Sequence, residues 1–113
     1  MKINRNPHEK AMVLQLSGDI LGGPDYELFT RTIKELIDEG HVDLVLDMGK
    51  VRYINSTGLG VLVSGFTTLR KNMGQMKICN LSTRIDRLFS VTSLTAVFPT
   101  FESLDDALAS FEE

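Results

Sequence analysis

The feature that most constrains the fold of this chain is the alternation of short apolar segments with longer amphipathic segments. The short segments have the length and spacing of β-strands and comprise residues 11–18, 41–48 and 75–81. The segments that follow the first two repeat apolar side chains at helical spacing, and Gly40 and Gly74 mark their predicted ends. Strands that alternate with helices favour a mostly parallel sheet against which the helices pack.

Weaker signals extend the pattern at both ends of the chain. Residues 1–6 are expected to form an edge strand, and a later short strand is predicted to end at Pro99, because proline cannot donate to a ladder. Ser82 and Ser103 are predicted to cap two further helices. The predicted order is β-β-α-β-α-β-α-β-α, in one α/β domain over residues 1–113 with four to five strands and about four helices.

The segment over residues 41–48 is almost continuously apolar, so we expect a central strand that is covered on both faces. Asp47 lies near the end of this segment and precedes a predicted loop over residues 49–55. Two roles for Asp47 stay open. Its carboxylate accepts backbone N–H bonds from the loop, or it belongs to a functional surface.

Composition narrows the class of protein. The 113 residues are 42% hydrophobic and 24% charged, as in an ordinary globular domain. The formal net charge of −3 and the scattered basic residues argue against nucleic acid as the main ligand. No apolar run reaches membrane-spanning length and the first residues do not resemble a signal peptide, so we expect a cytoplasmic protein without a membrane segment. The single cysteine, Cys79, is expected to be a buried, reduced thiol.

The sequence does not carry the motifs of common enzymes. The glycines after Ser56 lack the lysine of a phosphate-binding loop, and the nucleophile-elbow pattern Gly-x-Ser-x-Gly is missing. His8 and His41 are expected to be solvated surface residues, and so are the acidic pairs at helix ends, including Glu112 and Glu113. We therefore expect a protein that is not an enzyme and uses no cofactor or metal ion.

Three consecutive polar residues, Asn55, Ser56 and Thr57, precede the second helix. Each is a good N-cap, so one interpretation makes Ser56 the cap. In the other interpretation a neighbour caps the helix and the Ser56 hydroxyl is a switch. The first helical turn has no Asp or Glu, so the positive end of the helix dipole is uncompensated. A phosphate on Ser56 would add about −1.5 to −2 charges there, which the folded domain would tolerate but a partner bound over it would not.

Two glycines in the first turns of this helix need an explanation. Gly58 and Gly60 each cost about 1 kcal/mol relative to alanine within a helix. They leave the helix surface bare for close approach of another protein, or they allow the helix to pack tightly on the sheet. Both explanations stay open for both residues, whereas Gly65 is expected to serve packing.

The stretch "LVLDMGKVRYINSTGLGVLV" resembles the core of the anti-sigma factor antagonists, bacterial members of the STAS domain family, and "MKICNLSTRIDRLFSVTSL" resembles the strand, helix and loop that follow it. The resemblance implies a small α/β domain that binds an anti-sigma factor, often a serine kinase, and thereby releases a sigma factor. It also implies that the kinase phosphorylates the first serine of the motif, Ser56, which dissociates the complex, and that a phosphatase reverses this step.

On this basis the second helix start and the loop before the first helix form the expected partner-binding surface, with a contribution from the loop over residues 90–93. The expected partner-binding residues are Leu21, Gly22, Gly23, Asn55, Ser56, Thr57, Gly58, Leu59 and Gly60. Two positions depart from the family pattern, since Asn55 and Leu21 both stand where the family usually has Asp. The departures remove negative charge near Ser56, which is expected to alter recognition by the kinase and to stabilise a phosphorylated form.

Two alternatives remain open beside this hypothesis. The chain is a subunit of a larger signalling or transport assembly in which Ser56 is never modified, or it is a small-ligand or nucleotide-binding domain that uses the bare helix end as an anion site. The sequence is compatible with a monomer or a weak dimer.

Overall fold

The computed structural model describes residues 1–111, in which five strands and four α-helices occur. The strands are β1 (Lys2–Pro7), β2 (Met12–Ile20), β3 (Asp43–Ile54), β4 (Gln75–Cys79) and β5 (Thr100–Phe101). The helices are α1 (Pro24–Asp38), α2 (Ser56–Lys71), α3 (Thr83–Val91) and α4 (Leu104–Ala109), and a short 3-10 turn covers Leu94–Ala96. The predicted order of strands and helices is confirmed. Glu112 and Glu113 lie outside the described residues.

The five strands form one sheet in the order β1-β2-β3-β4-β5. Strand β1 pairs antiparallel with β2 at the edge, and every other neighbouring pair is parallel. The prediction of a mostly parallel sheet with an N-terminal edge strand is confirmed. Because the carboxyl ends of parallel strands meet at one edge of a sheet, the loops that follow β2 and β3 lie side by side.

Strand β3 occupies the centre of the sheet, and its first half, over residues 44–48, is covered on both faces, as its apolar character predicted. Leu44 and Leu46 face a large core formed with α1, α2 and α3. Val45 faces a smaller core on the opposite side, where α4 contributes Ala107 and Leu108. The alternation of successive side chains across the strand produces this division.

The predicted loop over residues 49–55 is wrong, because β3 continues through Ile54. Lys50, Val51, Tyr53 and Ile54 pair with the end of β2, through two irregularities in register. These irregularities, together with polar residues on the exposed positions, obscure the two-residue period that identifies a strand in the sequence. As a result the residues before Asn55 form the end of a paired strand instead of a loop.

The predicted strand that ends at Pro99 is also wrong. The chain forms the 3-10 turn before Pro99, and β5 begins immediately after it. The Pro99 carbonyl accepts a hydrogen bond from the backbone N–H of Ile78 at 2.9 Å. The proline therefore lies just before β5 and contributes an acceptor, which needs no backbone N–H. Phe98, which the prediction placed in a strand, is fully buried in the large core.

The predicted helix boundaries are confirmed at three of four positions. Ser82 and Ser103 cap α3 and α4, and Gly40 follows the C-cap of α1 with a φ of 89°. At the end of α2, however, the left-handed residue is Met73, with a φ of 64°, and Gly74 follows it. An added Cβ on Gly74 would overlap the Val42 carbonyl, so this glycine serves close packing instead.

Candidate functional site

The site is built around Ser56, the first residue of α2. Asn55 is the N-cap, and its Oδ1 accepts a hydrogen bond from the Gly58 backbone N–H at 2.8 Å. Ser56 is exposed, and its hydroxyl makes no hydrogen bond within residues 1–111. The interpretation of Ser56 as the cap is therefore wrong, because Asn55 performs that role and leaves the serine hydroxyl open to solvent.

The electrostatic character of this helix end follows from its sequence. The first turn of α2 contains no acidic residue, whereas Arg70 and Lys71 occupy the last turn, where cations suit the dipole. The cap itself, Asn55, is neutral. The positive end of a 16-residue helix dipole therefore points towards Ser56 without a compensating carboxylate in that turn.

The loop that follows β2 packs directly against the start of α2. The Asn55 backbone N–H donates to the Ile20 carbonyl at 3.4 Å. Gly22, with a φ of 94°, lies so close to Thr57 that an added Cβ would overlap its methyl group. The expectation that this loop lies beside Ser56 is confirmed, and the loop and the helix start form one continuous surface.

The two glycines of α2 that the sequence left open have different roles. An added Cβ on Gly58 would overlap the Ile20 carbonyl oxygen and lie 2.9 Å from Cγ1 of Ile54. Gly60 is exposed, and beyond its chain neighbours and the backbone of its own helix no atom of residues 1–111 lies within 4 Å of such a Cβ. Gly58 therefore serves packing on the sheet, and Gly60 leaves the helix surface bare. Gly65 packs on the Phe29 ring, as expected.

The structure divides the expected partner-binding residues into two groups. Those with exposed positions are Leu21, Gly23, Ser56, Thr57 and Gly60, and Asn55 is half-buried. Gly22, Gly58 and Leu59 are buried; Gly22 lies against Thr57, and Gly58 lies against Ile20 and Ile54. These three residues are not accessible to a partner. They support the surface that the other six form.

A groove that the sequence analysis missed lies beside Ser56, between the end of β3 and helix α3. We call it the Ser56 groove; its volume is about 590 Å³, and its lining comprises Tyr53, Ile54, Asn55, Ser56, Arg84, Ile85, Arg87, Leu88 and Val91. Val91, within the expected 90–93 contact loop, is the last residue of α3. The sequence signal was the spacing of residues 84, 87, 88 and 91, which places them on one helix face.

Other groups singled out in the sequence have structural or solvated positions. Asp47 Oδ1 accepts hydrogen bonds from the Gly49 backbone N–H at 3.0 Å and from Asn80 Nδ2 at 3.1 Å. Of the two roles that the sequence left open for Asp47, this is the first, in which the carboxylate accepts a backbone N–H bond. Burial, with a smaller contribution from the Asp47 charge, raises the pKa of the Cys79 thiol to about 12. His8 and His41 are exposed, as expected.

Comparison with known proteins places this geometry in a family. The STAS domain family model matches residues 2–107. The anti-sigma-B factor antagonist of Bacillus subtilis is 44% identical over 96 residues, which cover 83% of this chain and 84% of that protein.

Solved structures show the same fold. An anti-sigma factor antagonist from Mycobacterium paratuberculosis superposes with a TM-score of 0.83 at 24% identity, over 99% of this chain and 94% of that chain. The phosphorylated form of the Bacillus cell fate determinant SpoIIAA superposes with a TM-score of 0.73 at 15% identity, over 98% and 100% of the two chains. Within residues 1–111 no helix is both long enough and apolar enough to span a bilayer. The chain belongs to the STAS domain family.

Proposed function

We propose that this protein is an anti-sigma factor antagonist that is switched off by phosphorylation of Ser56. It binds an anti-sigma factor in the cytoplasm and so releases a sigma factor, and it performs no catalytic step itself. The anti-sigma factor is a serine kinase that modifies Ser56, and a phosphatase restores the free hydroxyl. The 44% identical relative from Bacillus subtilis is an anti-sigma-B factor antagonist, which supports the proposal that this chain is an antagonist as well.

The observation that carries the proposed switch is the exposed Ser56 hydroxyl at the start of α2. A phosphoryl acceptor must reach the active site of another protein, and Ser56 is exposed, with no hydrogen bond from its hydroxyl within residues 1–111. Asn55 caps α2, so modification of Ser56 leaves the capping hydrogen bond in place. The bare surface at Gly60 gives a second protein close access to the same turn.

The charge at this helix end explains why the folded domain tolerates a phosphate. A phosphoserine carries about −1.5 to −2 charges at neutral pH, and the N-terminal end of a helix attracts an anion. Asn55 and Leu21 stand where the family usually has Asp, so neither adds a negative charge that would repel the phosphate. We expect the phosphorylated protein to be as stable as the unmodified protein.

The same phosphate acts differently on a bound partner. In an interface over Ser56 it adds bulk and a charge that loses its hydration. A misplaced charge in an interface typically costs several kcal/mol. A loss of about 3 kcal/mol corresponds to roughly a hundredfold in affinity, which is sufficient for a switch.

The test measures affinity and stability for two substitutions of one residue. Ser56→Asp should weaken binding to the cognate anti-sigma factor by roughly a hundredfold, while its melting temperature stays close to that of the wild type. Ser56→Ala should bind as tightly as the wild type and should resist inactivation by the kinase and ATP. Calorimetric titration with the purified anti-sigma factors of the source organism provides the affinities.

The outcomes separate the parts of the proposal. Equal affinity of the two variants would reject the switch but retain the antagonist. Failure of the wild-type chain to bind any anti-sigma factor of its organism would reject the antagonist itself. Mass spectrometry of the wild-type chain after incubation with the kinase and ATP identifies the modified residue, and phosphate on a residue other than Ser56 would reject the assignment.

A further inference from the structure

We propose that the Ser56 groove receives a segment of the anti-sigma factor in which an apolar side chain is flanked by carboxylates, and that Arg84 and Arg87 bind these carboxylates. This inference rests on the proposed function, because it names the chemistry of the partner at the same surface. Neither arginine was among the residues that the sequence analysis expected to contact a partner.

The first argument is the apolar character of the groove. Ile54 and Ile85 form part of its lining, and both are buried in the large core, so the base of the groove is continuous with that core. Above them, Tyr53 is 46% exposed and Val91 is 76% exposed. Contiguous exposed apolar groups beside a concave surface are typical of binding sites. The groove therefore favours an apolar side chain of a partner.

The second argument is the charge of the groove. Arg84 and Arg87 line it, no Asp or Glu among residues 1–111 does, and the formal net charge of the whole chain is −3. The groove is thus locally cationic on a protein that is acidic overall. An acidic segment is attracted to this place and repelled by much of the remaining surface, which favours correct orientation during association.

The third argument is that the fold does not use these two cations itself. Within residues 1–111 neither guanidinium makes an ion pair or a side-chain hydrogen bond. Residues 80, 81, 83, 88, 90 and 91, three or four positions away from one or other arginine, include no Asp or Glu. The two arginines are three positions apart on one helix face, where like charges repel by a few tenths of a kcal/mol. A carboxylate from outside would relieve this repulsion, and the guanidinium fork suits it.

The combination of features favours a protein segment over other anions. A free phosphate or a lipid headgroup would use the arginines but would leave the apolar base and the Tyr53 ring uncovered. Tyrosine and arginine are also among the residues that most often dominate the energy of protein interfaces. A segment with an apolar side chain and neighbouring carboxylates does both: its carboxylates pair with the arginines, and its apolar side chain covers the base of the groove.

The position of Ser56 in the same groove links this inference to the switch. A phosphate on Ser56 would place negative charge in the groove, where two arginines attract the partner. It would therefore compete with the partner's carboxylates for Arg84 and Arg87, and would repel any carboxylate that remained. This gives the modification an electrostatic effect in addition to its bulk.

The test compares substitutions inside the groove with matched substitutions outside it. Arg84→Gln, Arg87→Gln and the double variant remove groove cations, and Arg31→Gln removes an exposed cation of α1 that is not part of the groove lining. Val91→Asp and Met73→Asp each charge an exposed apolar residue, of which only Val91 lines the groove. All six variants and the wild type are titrated with the anti-sigma factor that binds the wild-type chain.

We expect roughly a tenfold loss of affinity for each single arginine variant and for Val91→Asp, and roughly a hundredfold loss for the double variant. Arg31→Gln and Met73→Asp should stay within about threefold of the wild type. Added sodium chloride should weaken the wild-type complex more than the complex of the double variant, because the double variant has lost the screened attraction. Arg84→Lys with Arg87→Lys should restore part of the affinity.

Three results would overturn the inference. If the groove variants bind as the control variants do, the anti-sigma factor docks elsewhere, and the proposed function stands without this groove. If inorganic phosphate or phosphatidylglycerol vesicles bind the wild type and lose binding in the double variant, while the anti-sigma factor does not respond, the groove is a simple anion site. Failure of the wild type to bind any anti-sigma factor rejects the proposed function and this inference together.

Discussion

Lys77 on one face of the sheet and Arg84 with Arg87 near the other face show how the same kind of charge serves different purposes. The Lys77 ammonium donates to the Ser110 carbonyl at 3.0 Å and to its hydroxyl at 2.6 Å, and it lies 4.0 Å from the centre of the Phe111 ring. The two arginines have no such partners within residues 1–111. A cation that the fold satisfies stabilises the fold, and a cation that the fold leaves free is available to a partner.

The difference has a physical basis in burial. Lys77 is only 8% exposed, and desolvation lowers the pKa of its ammonium despite the opposing effect of Asp43. Such a group must have internal partners, because an unpaired buried charge is costly. Arg84 and Arg87 are exposed and remain hydrated without a partner. The α4 face of the sheet is therefore closed by its own residues, and the Ser56 groove is open.

The largest expected effect is a loss of stability on the α4 face of the sheet. Lys77→Ala removes two charge-assisted hydrogen bonds to the chain after α4, and we expect it to lower the free energy of unfolding by about 3 kcal/mol. The variant should still bind the anti-sigma factor, because α4 packs on the face opposite α2. Urea denaturation measures the first quantity and calorimetric titration the second.

Arg87→Ala is the matched control in the open region. Its free energy of unfolding should stay within about 0.5 kcal/mol of the wild type, as for most surface substitutions. If Lys77→Ala were as harmless to stability as Arg87→Ala, the contrast between a satisfied and a free cation would be wrong. Lys77→Met, which retains the apolar stem, separates the contribution of the ammonium from that of packing.

A second contrast lies within one turn of α2 and has a smaller expected effect. Gly58→Ala forces a Cβ against the Ile20 carbonyl, and we expect a destabilisation of about 2 kcal/mol. Gly60→Ala meets open space, and we expect a stabilisation of up to about 1 kcal/mol from helix propensity. Thermal unfolding of both variants measures these opposite signs.

The affinity of the Gly60→Ala variant tests whether the bare helix surface contributes to binding. If Gly60 keeps the surface bare for a partner, the more stable variant should bind the anti-sigma factor less tightly than the wild type. A gain in stability with unchanged affinity would show that the bare surface at Gly60 has no role in binding. In that case the exposed residues nearer Ser56 would carry the interface.

The fold was largely predictable because its signals are local. The apolar run over residues 41–48 is long enough to specify a buried central strand, and the serines that cap α3 and α4 act within three residues of themselves. The continuation of β3 to Ile54 was not predictable in the same way. It depends on pairing with β2 through two irregularities, and a long-range register leaves no periodic trace in either strand.

The candidate site was predictable only in part, for a related reason. The Asn55-Ser56-Thr57 sequence marks a helix start, but three good caps in a row do not specify which one is used. The contact between Gly58 and Ile20 depends on the parallel pairing of β2 with β3. The groove depends on the packing of α3 beside the end of β3, so the exposure of Tyr53 and Val91 follows from tertiary structure.

The smallest expected effect is the change of stability with pH that the thiol of Cys79 causes. Cys79 lies on the same strand as Lys77, but its protonated thiol carries no charge that needs a partner. Burial raises its pKa from 9.0 to about 12, so the folded protein keeps the thiol protonated where the unfolded chain begins to lose the proton. The unfolded state then binds fewer protons, and stability falls as pH rises through 9 towards 12. Between pH 7 and pH 9 the loss attributable to Cys79 should be about half a kcal/mol.

The measurement is urea denaturation at pH 7, 8 and 9 for the wild type and for Cys79→Ala. The substitution lowers stability at every pH because it leaves a small cavity, but it should make the decline between pH 7 and pH 9 shallower. The difference between the two slopes isolates the thiol from every group that the two proteins share. Parallel slopes would mean that the folded protein also ionises Cys79 near pH 9, which would contradict the complete burial of this side chain in the α4 face of the sheet.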